Sequence, residues 1–243
     1  MPIKEVNNFR QDRGNSAIAF QVIDDFFTNP YEVRNKGLKS LKEHCCKCPK
    51  GGKSGDFSWP GVRSPLLDNT NIDNSFKDRY INAISPYLKE KCVVKESYFQ
   101  SIDYSWVCGS FHNDYPARYT CITFLTPQPH PNSGTELIGM YPDVQYRTKN
   151  IEEVPVAYQL FESDAFEPVK RRFYSSERNP IQRFFFEKKV KSYNSIFDET
   201  CIIANRFNRT IVFDSCLYHR AQDFFGTILS ESRLTLISFW YAT

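Results

Sequence analysis

The stretch His112-Asn113-Asp114-Tyr115-Pro116-Ala117-Arg118-Tyr119-Thr120-Cys121-Ile122-Thr123-Phe124-Leu125 decides the reading of this chain. Its second half, Arg118 to Leu125, is rich in β-branched and aromatic residues and reads as a strand. The His-x-Asp pair lies at the mouth of that strand. Residues at i and i+2 of an extended segment project to one side, so His112 and Asp114 can grip one face of a metal ion. A His-x-Asp recurs by chance in many chains, and only its context gives it weight. A second strand-like run, Thr210 to Asp214, leads to His219, and Arg233 opens a third, Leu234 to Tyr241. The three carriers are expected to be strands of one sheet system.

His219 is the expected third ligand. Two imidazoles and one carboxylate on one face of an octahedron make the facial triad of non-haem Fe(II) oxygenases, which leaves three positions open for chemistry. Arg233 and Thr235 share a strand face. A guanidinium fork there can hold a carboxylate through two parallel hydrogen bonds while the Thr235 hydroxyl adds a third. The alternative is a strand-edge cation in solvent beside an ordinary β-branched filler. Arg220 is a rival anchor, but as the neighbour of His219 it faces the opposite side.

Taken together, His112, Asp114, the strand from Arg118 to Leu125, Ser133-Gly134-Thr135-Glu136-Leu137, Arg209 to Asp214, His219 and Arg233 to Trp240 resemble the 2-oxoglutarate and Fe(II)-dependent dioxygenases, most closely their prolyl 4-hydroxylase-like branch. The resemblance covers about residues 93 to 243. It implies a double-stranded β-helix, a jelly roll or cupin-like fold, with supporting helices packed on one sheet. It implies Fe(II), 2-oxoglutarate and O2, with ascorbate as an accessory reductant. His112, Asp114 and His219 would hold the metal, and Arg233 with Thr235 the distal carboxylate of 2-oxoglutarate. The carboxylate at Asp114 implies hydroxylation, because halogenating relatives carry a small residue there. One position departs from the pattern: where relatives place a Tyr against the cosubstrate, this chain has Phe124. Tyr104 either supplies a phenol from another direction or is an ordinary rim aromatic.

Length and composition suit one enzyme domain with an N-terminal addition: residues 1–92 as a strand and supporting helices, and 93–243 as the catalytic core with an insertion at about 142–200. With 243 residues, 41% of them apolar and including 21 Phe and 14 Tyr, there is bulk for a sizeable core. A net charge of +3 gives no argument for an electrostatic nucleic-acid binder. There is no apolar stretch of the secretory kind and none long enough to cross a bilayer, so cytoplasmic residence without membrane partners is the expectation. The eight cysteines are then reduced thiols, with Cys108, Cys121, Cys201 and Cys216 packing as small hydrophobes.

Before the catalytic motif, residues 17 to 27 read as a strand. Asn29-Pro30 starts a helix over Tyr31 to Lys42, and Ile72 to Lys91 shows helical spacing of Phe76, Tyr80, Ile84 and Leu88. His44, Cys45, Cys46 and Cys48 cluster like zinc ligands, but no partner doublet follows. Lys50 to Gly55 lacks the glycine that a phosphate loop needs at position 47, where Lys stands. Trp59-Pro60-Gly61-Val62-Arg63 also resembles a segment of little-characterised dioxygenases, in whose terms Arg63 reaches the active-site mouth; the other reading is a surface Arg in a Pro-Gly turn.

The insertion interleaves basic and aromatic residues in Lys170 to Tyr174 and Arg183 to Lys189. A substrate-covering lid is favoured there over a groove for single-stranded nucleic acid, since Glu162, Asp164, Glu167 and Glu177 dilute the positive potential. Three functions remain open: hydroxylation of a prolyl or other protein side chain, oxidation of a small metabolite or nucleobase, and binding by a jelly roll without turnover.

Overall fold

In the computed structural model the described residues are 20–47, 61–67, 74–104 except 89, 109, 111–138 except 115, a few positions between 184 and 197, and 200–243. Six strands form the large sheet. They are β1 (Phe20–Ile23), β2 (Val62–Arg63), β3 (Cys92–Ile102), β4 (Tyr119–Phe124), β7 (Thr210–Asp214) and β9 (Arg233–Ala242), in the spatial order β1-β7-β4-β9-β3-β2. Three more, β5 (Gly134–Ile138), β6 (Thr200–Ala204) and β8 (His219–Ala221), form a small sheet in the order β6-β5-β8. Every pairing is antiparallel. Two such sheets face to face make the jelly roll expected from the sequence. The three expected carrier strands, β4, β7 and β9, are neighbours in the large sheet, while His219 itself lies beyond β7, on β8 of the small sheet.

The large sheet is covered on both faces, which is why its central strands read as unbroken apolar runs rather than alternating ones. All six residues of β4 are buried, as are the first eight of β9. On the outer face, Phe99, Cys121, Leu236 and Trp240 pack against Val33 and Leu41 of α1 (Pro30–Lys47) and Tyr80 and Ile84 of α2 (Asn74–Ile84). The inner face carries Tyr98, Ile122, Phe124, Ile211, Phe213, Ile237 and Phe239, packed against Leu137 of β5 and Ile203 of β6. Phe124, against which Arg233 lies, and Phe213, against which His219 packs, belong to this inner layer.

Several expectations need adjustment. The second helix stops at Ile84 rather than running to Lys91, because Pro86 sits in a following 3-10 turn, Ser85–Tyr87, and cannot donate to a helical ladder. The first helix runs on to Lys47, beyond the expected Lys42. Cys121 is buried, and desolvation pushes its thiol up; Cys216 is exposed in the turn after β7 and does not pack as a small hydrophobe. Cys108, Cys48, the side chains of His44, Cys45 and Cys46, and nearly all of the insertion lie outside the described residues. Among the described residues, no helix is long and apolar enough to cross a membrane.

Candidate metal and cosubstrate site

His112 and His219 are joined through their backbones. The amide of His112 donates to the His219 carbonyl at 3.0 Å, and the amide of His219 returns the bond at 2.8 Å, so the His-x-Asp segment is stapled to β8. Gly109 permits the approach: a Cβ there would come within 2.3 Å of the Ala221 carbonyl oxygen. Asn194, from the end of the insertion, brackets the same segment by donating to the Gly109 carbonyl at 3.0 Å and accepting from the Phe111 amide at 3.2 Å. Two residues past His112, the Asp114 amide donates to the Ser215 carbonyl at 2.9 Å. These bonds bring three side chains together. The ligand atoms of His112, Asp114 and His219 lie within 4.8 Å of one another.

Two of the donors, His219 and Asp114, are held by a group outside the cluster. His219 is 4% exposed, and its Nδ1 stands 3.0 Å from the Leu217 carbonyl. A carbonyl only accepts, so Nδ1 carries a proton and Nε2 is the nitrogen turned toward Asp114, 3.2 Å from Oδ2. The ring edge packs on Phe213. Asp114 accepts a hydrogen bond from the Thr120 hydroxyl at 2.7 Å, and Thr120 is 2.8 Å from the Ser215 hydroxyl. His112 Nε2 lies 3.7 Å from Asp114 Oδ1.

Burial alone would raise the Asp114 pKa. The neighbouring His219 and His112 imidazoles and the Thr120 hydroxyl outweigh it and hold the group down at about 2. Burial likewise works against charge on His219, yet Asp114 and the Leu217 carbonyl raise its pKa. Positive charge is thus favoured where the three side chains meet. A divalent cation held by these three residues would supply it.

Arg233 is 2% exposed at the start of β9, with its guanidinium carbon 5.5 Å from the Phe124 ring centre. Its Nη2 reaches the Thr135 hydroxyl at a long 3.4 Å, and its buried Nε has no hydrogen-bond partner among the described residues. Desolvation lowers its pKa to about 10. No carboxylate among the described residues pairs with it. A buried cation without a counter-ion is costly, and the natural remedy is an anionic ligand. The donor set and this orphaned guanidinium therefore fit a metal with a carboxylate cosubstrate.

The remaining expected residues fall as follows. Thr235 is fully buried on the face that carries Arg233, its hydroxyl 3.4 Å from the Gln100 carbonyl. Tyr104 lies in the turn after β3 and is 55% exposed. Arg220 turns away from the His112-Asp114-His219 cluster and pairs with Glu136, which also accepts from Gln222. Thr120, Ser215, Leu217 and Thr135 were not anticipated. A signal existed for one of them: Thr120 is the polar member of the inward-facing set Thr120, Ile122 and Phe124.

No protein-family model matches this chain, and no curated protein does either. Solved structures match it in shape. HygX from Streptomyces hygroscopicus, with nickel and 2-oxoglutarate bound, aligns with a TM-score of 0.57 at 12% identity, covering 93% of this chain and 83% of that one. AviO1 from Streptomyces viridochromogenes Tue57 aligns at 0.52 and 11% identity, over 93% of this chain and 90% of that one. EvdMO1 aligns at 0.53 and 12% identity, over 92% of this chain but only 47% of its own. At such identities the likeness is one of fold.

Proposed function

We propose that this chain is an Fe(II)- and 2-oxoglutarate-dependent oxygenase that hydroxylates a C–H bond. The observation that carries the reading is a buried, uncompensated Arg233 on the same inner layer as a His-Asp-His cluster. HygX, which shares the fold, binds nickel and 2-oxoglutarate. In that role His112, Asp114 and His219 would hold the metal, and Arg233 with Thr135 the far carboxylate of the cosubstrate. Bound Fe(II) would supply the O2 chemistry that no side chain can.

The chain's own part is placement. The Leu217 carbonyl fixes the tautomer of His219, and Thr120 orients Asp114. Phe124, Phe213, Ile122 and Ile237 keep water from the inner layer. As substrate, a prolyl or other protein side chain is the first class to test, and a small metabolite or nucleobase the second.

The deciding experiment is release of succinate from 2-oxoglutarate by the Fe(II)-loaded protein. Activity that disappears in His112→Ala and Asp114→Ala supports the reading; its absence from the wild type under air with Fe(II) ends it. Mass spectrometry of proline-rich peptides and of small-molecule mixtures then identifies which class gains one oxygen atom.

A further inference from the structure

Asn205 is the first residue past β6, and its side chain is buried with nothing to bond. It is 7% exposed, and neither its Nδ2 nor its Oδ1 has a hydrogen-bond partner among the described residues. An amide buried in that state is costly, and such groups call for a ligand or an ordered water. The side chain faces the inner layer. Alternation along β6 puts Ile203 inside and Ile202 in solvent, and Asn205 shares the side of Ile203. Its backbone amide donates to the Ser133 carbonyl at 3.0 Å, so the ladder with β5, and the alternation with it, continues to this residue.

The rows of the small sheet place Asn205 relative to the metal cluster. Cys201, Leu137 and His219 lie opposite one another in the row that carries the cluster's imidazole, and Ile203, Thr135 and Ala221 form the next inward row. Asn205 belongs to the row after that, a diagonal neighbour of Thr135 with the backbones about 7 Å apart. Thr135 is the residue whose hydroxyl Arg233 reaches from the large sheet. The turn behind Asn205 is tied down from several sides. Asn208, at φ +64°, exchanges two 2.9 Å hydrogen bonds with the backbone of Phe27, and its own amide donates to the Phe124 carbonyl at 2.9 Å. Arg209 Nη1 donates to the Ala204 carbonyl at 3.1 Å. Asn205 is thereby held beside Thr135 from the strand end that also carries the Phe124 ring beneath Arg233.

Two buried donors without acceptors, Nε of Arg233 and Nδ2 of Asn205, therefore come to Thr135 from opposite sheets. A water would serve the amide and leave the charge of the guanidinium unanswered. A carboxylate serves both, and Oδ1 of Asn205 then keeps a water. We infer that Asn205 is a binding residue for the far carboxylate of the cosubstrate, donating to it from Nδ2 across from Arg233, and that it makes the site demand a keto diacid rather than a keto monoacid; the inference rests on the oxygenase reading for the identity of that carboxylate.

The test uses the full chain, 15N-labelled and loaded with diamagnetic Zn(II), and follows the side-chain NH2 pair of Asn205, assigned through its own backbone amide. 2-Oxoglutarate should shift the pair saturably. 2-Oxobutyrate, which has the keto acid end and lacks the far carboxylate, should not. Asn205→Leu, close in shape and unable to bond, should keep or raise the thermal midpoint of the ligand-free protein, bind 2-oxoglutarate about tenfold more weakly and bind 2-oxobutyrate as before. An NH2 pair that 2-oxoglutarate leaves unmoved assigns Asn205 to a buried water and overturns the inference, as does a Leu variant that weakens both keto acids alike or neither. The Nε–H resonance of Arg233, absent in Arg233→Met, is the separate control. If 2-oxoglutarate leaves it unmoved, the oxygenase reading itself fails; if it moves while Asn205 stays silent, only the role of Asn205 is lost.

Discussion

Thr120 donates its hydroxyl proton to Oδ2 of Asp114 at 2.7 Å, fixing the one carboxylate of the His112-Asp114-His219 cluster from the start of the strand that follows it. Thr120 is 1% exposed, and its neighbour Ser215 completes the chain of hydroxyls. Replacing Thr120 with Val keeps the shape and removes the bond. Supporting bonds of this kind are commonly worth 10- to 100-fold in metal affinity. Thr120→Val should therefore bind Mn(II) roughly tenfold or more weakly by calorimetry while its circular dichroism stays native. Unchanged affinity would show that Asp114 is oriented without Thr120.

Arg233 sets stability against binding. Its guanidinium is buried on Phe124 with one long hydrogen bond to Thr135, so the ligand-free protein carries the desolvation cost of a cation with little return. Arg233→Met should raise the thermal midpoint of the ligand-free protein by about 2–4 °C, a gain of about 1 kcal/mol in a chain of this size. The same variant should lose about 100-fold in affinity for 2-oxoglutarate, as expected when one member of a buried charge pair is removed. Thermal melts with and without 2-oxoglutarate check both halves. A variant that is less stable and still binds would mean that another group anchors the carboxylate.

Much of this was legible beforehand, for a physical reason. Strands β4, β7 and β9 are covered on both faces, so their apolar runs stand out in any window, and His112, Asp114, His219 and Arg233 lie at or a few residues beyond their ends. The small sheet was harder to see. Strand β6 is mostly exposed, with only Ile203 buried, and β8 has three residues, so neither carries a hydrophobic signature. Nor does any local pattern encode that the chain crosses to the other sheet after β7, so the short strand that carries His219 is not foreseeable. Thr120, Ser215 and Thr135 escaped notice because a short hydroxyl side chain in a strand looks the same whether it fills space or orients a ligand.

Asp24 predicts a pH dependence of stability. Its carboxylate receives Nε of Arg209 at 2.6 Å and Nη2 at 2.9 Å, tying the end of β1 to the start of β7, with Arg206 alongside. The Arg209 hydrogen bond is the main cause that lowers its pKa from the ordinary 3.8, against the opposing effect of burial. A carboxyl whose folded pKa is depressed stabilises fully above the unfolded value. That contribution disappears as pH falls through 3.8 toward the folded value. Asp24→Asn should therefore cost about 1 kcal/mol at neutral pH and almost nothing near pH 2. Urea midpoints across that range test it, and a gap that persists in acid would assign the effect to lost packing.

Gly61 separates two reasons for requiring glycine. Its φ of +85° disfavours most side chains, and its Cβ position collides with the Ser101 carbonyl oxygen at 2.1 Å. Gly61→Ala should destabilise by about 2 kcal/mol, the sum of a left-handed backbone penalty and the displacement of β2. Asn tolerates positive φ better than Ala. If φ alone mattered, Gly61→Asn would recover most of the loss; because backbone lies in the way, Asn should be as damaging as Ala. Both variants should also lift Arg63 off Tyr98, moving its Nε–H resonance in the absence of any ligand. Chemical denaturation gives the first quantity and the spectrum the second, and a stable Gly61→Asn protein with an unmoved Arg63 signal would show that the edge strand yields without carrying the arginine along.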